Sequence, residues 1–178
     1  MSETARLVLR ELTADDAAFI LELLNDPSFI RYIGDKGART LEDARQYIAD
    51  GPRASYTHNG FGLYLVQIKE TGQRIGMCGL VKRDVLNDVD IGFAFLPAFW
   101  SRGYALESSR EVMHLARNVF GIRRVVAITS TDNHGSMSLL RKIGLRFDRT
   151  MALPGHSDVV NVFVPQEAAN GGAERRQS

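Results

Sequence analysis

Cys78 is the only cysteine in the chain, so an internal disulfide is excluded and a reducing, cytoplasmic setting is expected. Its place within an apolar stretch marks it as a small core residue rather than a nucleophile. No apolar run approaches the roughly 20 residues needed to cross a bilayer. The opening MSETARLVLR lacks the charged-then-apolar order of a signal peptide. Neither sign of charge is in excess: 22 basic residues face 21 acidic ones, a net charge of +1. That balance supplies no bulk field for nucleic acid or a membrane surface, and neither is expected as a partner. The four histidines share no ligand spacing, so no metal site is expected. Two familiar phosphate loops are also missing. There is no Gly-Lys-Ser/Thr ending and no turn carrying three fingerprint glycines.

What remains is enough for one globular domain. The chain has 178 residues, 44% hydrophobic and 24% charged, a size that fills a core without staples. A single domain is expected over 1–166. The stretch 167–178, EAANGGAERRQS, is polar and glycine-rich and is expected to be a disordered tail.

The organising stretch is IGFAFLPAFWSRGYAL, residues 91–106. An apolar run of strand length meets Pro97, a short turn carries Arg102 and Gly103, and a helical pattern starts at Tyr104. The first N–H groups of such a helix lack internal partners and carry the positive end of its dipole. They form a natural seat for a phosphate or diphosphate. Gly103 permits close approach or a positive φ, Ala105 keeps the next turn slim, and Arg102 adds a cation. Read alone, the segment also fits an ordinary strand–loop–helix joint.

Around it the chain reads as alternating elements. Residues 7–12 predict a strand, followed by Thr13 as a helix cap and a stripe of Ala17, Ile20, Leu21 and Leu24. Residues 29–33 are too apolar for a plain loop and predict a short helix; Tyr32 fits either that helix or a binding-site wall. A helix capped by Thr40 and Asp43 is expected to bury Leu41, Ala44, Tyr47 and Ile48 and to stop at Gly51-Pro52. Strands over 61–68 and 75–81 pair around Thr71-Gly72, and a central strand covers 89–96. In that strand Ile91, Phe93 and Phe95 share one face, while Asp90, Gly92 and Ala94 share the other. A helix over 104–118 and a strand over 125–128 complete a parallel, right-handed crossover. A short helix after Asn133 ends at Gly144, and 145–151 pairs with 158–164.

The string Trp100-Ser101-Arg102-Gly103-Tyr104-Ala105 resembles the acyl-CoA-binding motif of the GNAT superfamily of N-acetyltransferases, Arg/Gln-x-x-Gly-x-Gly/Ala, with Trp at its first position. Arg6-Leu7-Val8-Leu9-Arg10-Glu11-Leu12 and Asp132-Asn133-His134-Gly135-Ser136 resemble strings of the Rim-type branch, the ribosomal-protein N-terminal acetyltransferases. The resemblance spans about 6–164. It implies an α/β fold: a mixed, mostly antiparallel central sheet with a splayed parallel strand pair, flanked by helices. It implies acetyl-CoA as cosubstrate and direct attack by a primary amine through a tetrahedral intermediate. The acceptor would be a protein N-terminus, a polyamine or an amino sugar, and a homodimer is a family expectation.

Residue roles follow from the same resemblance. Backbone groups of Phe93, Ala94 and Phe95 would bind the pantetheine arm, with the Phe95 N–H as the oxyanion contact. Residues 100–105 and Asn133 would also hold the coenzyme, Trp100 either by packing or as pocket floor. The Tyr that many members place four residues before the closing glycine is here Leu140. Ser136 then stands either as the acid for the leaving thiolate or as a helix-start residue. Asp90 stands either as general base or as an ion-pair carboxylate. The missing Tyr also leaves open a non-catalytic acyl-CoA sensor.

Overall fold

The computed structural model describes residues 1–153 and 159–166. The expected tail at 167–178 lies outside them, as does Asp158, the expected first residue of the last strand. Among the described residues eight strands build one sheet: β1 (Ser2–Glu3), β2 (Leu7–Arg10), β3 (Leu63–Ile68), β4 (Arg74–Val81), β5 (Val89–Phe95), β6 (Val125–Ser130), β7 (Leu145–Ala152) and β8 (Val159–Pro165). Their order is β1-β2-β3-β4-β5-β6-β8-β7, and β5–β6 is the parallel pair among antiparallel neighbours. Six α-helices flank it: α1 (Ala17–Asn25), α2 (Pro27–Tyr32), α3 (Leu41–Ile48), α4 (Ala54–Asn59), α5 (Tyr104–Asn118) and α6 (His134–Lys142).

Alternation along the strands divides the core into two layers. Cys78, Leu80, Ile91 and Phe95 pack with Val112 and Ala116 of α5 and with Met137 and Leu140 of α6. The opposite side chains, Leu65 and Met77, pack with Ile20, Leu24, Ala44 and Ile48 of α1 and α3, and Ala94 joins them. Cys78 is fully buried, its thiol 3.6 Å from the Ser109 hydroxyl, and burial pushes it up to about 11. No helix among the described residues is long and apolar enough to cross a membrane.

The caps follow the sequence closely. Asp43 accepts the Thr40 N–H at 2.8 Å while Thr40 accepts the Asp43 N–H at 3.1 Å. Four local expectations are corrected. The first strand ends at Arg10 rather than residue 12, because the Leu12 N–H turns to the Tyr56 hydroxyl, 3.1 Å away. Gly51-Pro52 does not stop the chain: a π turn over Ala49–Arg53 leads into α4, the Ala54 N–H reaching back to Ala49 O. The wider ring lets Pro52, which has no N–H to donate, pass inside the turn. Leu41, in the first turn of α3, is half-exposed, while Ala44 and Ile48 carry the buried face, and Ile30 is exposed on α2 while Phe29 is buried.

Candidate active site

The site begins where the sheet parts. β5 and β6 share only two rungs, Val89 with Val125 and Asp90 with Val126, before they diverge. On the other side β5 stays paired with β4 along its length. The Leu96 N–H, just past β5, donates to Ile75 O of the β4 flank at 3.0 Å. Backbone groups alternate sides along a strand, so those of Ala94 also face β4 and those of Phe93 and Phe95 face the gap. The Trp100 indole N–H takes Phe95 O at 2.8 Å. That leaves the Phe95 N–H and both polar groups of Phe93 toward the opening. Ala94 contributes a small side chain instead of a backbone contact.

At the mouth of the gap the chain makes a short 3-10 turn, Pro97–Phe99, and enters α5 through two left-handed residues. Ser101 has φ 59°, rare for a residue with a side chain, and Gly103, the N-cap, has φ 82°. Holding Ser101 there costs on the order of 1–3 kcal/mol, strain of the kind that collects at ligand-binding turns. Successive N–H groups in such a turn converge, and the α5 dipole points its positive end the same way. These features fit a diphosphate, so the chain's residues suit coenzyme A.

A cleft of about 580 Å³ occupies this place. Phe93, Ala94, Phe95, Trp100, Ser101, Gly103, Tyr104 and Ala105 line it, together with Asn133 and Ser136 from the start of α6. Ten of the expected site residues thus share one cavity. Asn133 caps α6, its Oδ1 accepting the Ser136 N–H at 3.0 Å. Its amide N–H groups have no protein partner among the described residues and remain available to a ligand. Trp100 is 46% exposed at the rim, so its indole both packs and hydrogen-bonds there.

Two expected residues stand apart. The Arg102 guanidinium lies over the Phe99 ring, 5.8 Å from its centre, and does not line the cleft. Asp90 lies five residues before Phe95, about 16 Å along an extended strand, and is also absent from the lining. It is 1% exposed and paired with Arg83, whose Nε lies 3.1 Å from both carboxylate oxygens. Burial pushes its pKa up, against the pull of Arg83 and Lys82. The geometry therefore gives Asp90 an ion-pair carboxylate's surroundings, away from the residues that line the cleft.

Sequence reasoning missed several contributors. Tyr32, which the sequence left open between a helix and a binding-site wall, lines the cleft; Ser28 and Ile33 join it there unforeseen, and Arg31 beside them bonds Asp132 at 2.9 Å, tying that wall to the α6 loop. On α6 the cleft face is Gly135, Ser138, Leu139 and Lys142, with Ser136 beside them, whereas Leu140 is buried in the core. Lys142 is the one charged side chain among the lining residues. The i, i+3, i+4, i+7 spacing from Gly135 was the available signal.

The comparisons agree with this arrangement. The family model described as "Acetyltransferase (GNAT) domain" matches residues 6–146. The chain is similar to the uncharacterized N-acetyltransferase YoaA of Bacillus subtilis, with 26% identity over 174 residues, covering 93% of this chain and 97% of that one. Among solved structures, an acetyltransferase from Agrobacterium tumefaciens superposes with a TM-score of 0.78 at 22% identity, over 93% of this chain and 94% of its own. RimL, a ribosomal L7/L12 alpha-N-protein acetyltransferase in complex with coenzyme A, superposes with a TM-score of 0.77 at 20% identity, over 90% and 94%. A sheet opened beside a helix N-terminus, lined by the motif residues and matched over most of the chain by the family model, makes this protein a member of the GNAT acetyltransferase family.

Proposed function

We propose that the protein acetylates a weakly basic primary amine, specifically the α-amine of a protein N-terminus. The observation carrying this reading is the cleft lining, where no carboxylate and no imidazole occurs among the described residues. A polyamine would bring two or more ammonium groups to a wall whose one charged side chain is itself cationic. It would also need a base, since alkylamines ionise near pKa 10.4, whereas an α-amine near 7.7–8.0 is substantially neutral at ordinary pH. Solvent at the mouth then suffices to take the proton. The half-exposed apolar groups Ile33 and Trp100 at the rim suit the side chains of a peptide better than the hydroxyls of an amino sugar.

When bound, acetyl-CoA supplies an activated acetyl thioester. The chain's own part is positioning, which is worth roughly 7–11 kcal/mol when the reacting groups are well aligned. The Phe95 N–H, turned into the gap, is the donor for oxygen charge that develops during transfer. Phe93 and Asn133 hold the arm leading to it, and Ser136 donates the proton that eases thiol departure.

A panel of peptide N-termini, spermidine and glucosamine, followed by free-thiol release and product mass, tests the reading. Peptides should react at least about 10-fold faster than spermidine at pH 7.5, following the difference in neutral amine. Preference for spermidine would overturn it. Tight coenzyme A binding without thiol release from any amine would mark a sensor instead. Ser136→Ala should lower turnover roughly 10- to 100-fold, the range of a lost general acid, with coenzyme A affinity held within about 3-fold. Unchanged turnover would remove Ser136 from the chemistry.

A further inference from the structure

The back of the diphosphate turn is built as carefully as its front. Arg6, the residue before β2, crosses 96 positions to donate from Nη1 to Arg102 O at 3.1 Å. Its guanidinium covers the Tyr104 ring, 4.6 Å from the centre. A Cβ placed on Gly103 would meet its Nη2 at 3.1 Å, so the cation lies directly behind the left-handed N-cap. Glu107, in the first turn of α5, fixes this pose. One carboxylate oxygen accepts Arg6 Nε at 2.7 Å, and the other accepts the Arg6 N–H at 2.8 Å and the Thr4 hydroxyl at 2.6 Å.

We propose that Arg6 is a positioning residue of the coenzyme site: it braces the Ser101–Gly103 turn from behind and cancels the Glu107 carboxylate, which would otherwise oppose the diphosphate. Glu107 follows Gly103 by four residues, about 6 Å along the helix axis. An unpaired carboxylate at that distance acts against the same helix N-terminus that attracts an anion. Pairing with Arg6 removes that opposition and leaves the α5 dipole and the convergent N–H groups free to act outward. The Arg6 bond to Arg102 O also pins one peptide plane of the turn. Arg6 therefore supports binding without touching the ligand. The idea rests on coenzyme A being seated on this turn.

The test is a double-mutant cycle read as the dissociation constant for coenzyme A by titration calorimetry, beside the melting temperature of each ligand-free variant. Arg6→Met, which keeps the aliphatic stem over Tyr104, should weaken binding about 10-fold, the scale of a charge at a helix N-terminus. Arg6→Lys, which retains the cation, should recover most of that loss. Arg6→Met combined with Glu107→Gln should also bind more tightly than Arg6→Met alone, because the opposing charge has gone. A purely structural role predicts the reverse, since the double variant has lost still more contacts. Wild-type affinity in Arg6→Met, or no recovery in the double variant, would overturn the proposal while the site assignment stands. Failure of the wild-type protein to bind coenzyme A would remove both. If Arg6→Met does not fold, the comparison passes to Arg6→Gln against Arg6→Gln with Glu107→Gln, with improvement in the latter expected and its absence decisive against the idea.

Discussion

Gly103→Val should weaken coenzyme A binding at least about 100-fold, close to 2.7 kcal/mol, in a protein that still folds. Two independent costs meet at this position. Its φ of 82° is a conformation that branched residues resist, and a side chain there would press on Arg6 Nη2. The turn is exposed, so it can relieve the strain by rotating its peptides rather than by unfolding the domain. That rotation turns the converging N–H groups away from the diphosphate. Gly103→Ala should show a milder loss, about 10-fold, because a methyl group tolerates the left-handed region better than a branched chain does. Titration calorimetry reads both, and a melting temperature within a few degrees of wild type keeps the loss local. Near-normal affinity in a folded Gly103→Val protein would place the coenzyme elsewhere.

Asp16→Ala should cost about 3–4 kcal/mol of stability, the penalty for stripping the partner from a buried ion pair. The carboxylate is fully buried at the entry to α1. It receives Arg10 through two bonds of 2.8 Å, Arg74 at 3.0 Å, and the Thr13 N–H at 2.9 Å. Removing it leaves two guanidinium groups facing one another and a helix start without its cap. At roughly 2–4 °C per kcal/mol for a domain of this size, the melting temperature should fall by about 10 °C. Burial alone would raise the Asp16 pKa, yet the Arg10 bonds, the Thr13 N–H and Arg74 together hold it below its usual 3.8. A depressed folded pKa means the stabilisation is complete above about pH 4 and disappears as pH falls through the folded value. The gap between wild type and variant should therefore narrow in acid, which thermal melts from pH 7 to pH 2.5 would follow. A gap that stays constant would mean the charge contributes little.

The central strand, the left-handed glycine and the short helix after Asn133 were legible because each is a local pattern. Alternation in residues 89–95 and a glycine just ahead of a helical stripe need no knowledge of distant neighbours. Depth was not legible. Period two puts Asp90 on the same face as Ala94, but only the register with Val126 shows that the sheet is still closed there. Nor does any local pattern join Arg6 to Glu107 across 101 positions, or bring α2 opposite Asn133. Pro52 misled for a different reason: proline ends an α-helix because it has no N–H to give the carbonyl four residues back, but here the turn is closed by the Ala54 N–H on Ala49 O, a bond Pro52 takes no part in.

The two rungs shared by β5 and β6 carry one more consequence. Free strand edges at the margin of a sheet recruit other proteins and lead to aggregation. Here the unsatisfied backbone lies inside a cleft lined by residues of α2, α5 and α6 rather than at the sheet's outer edge. A slender thread of amides can still slide in. The fold keeps a hunger for hydrogen bonds on offer to a small guest while hiding it from its own neighbours.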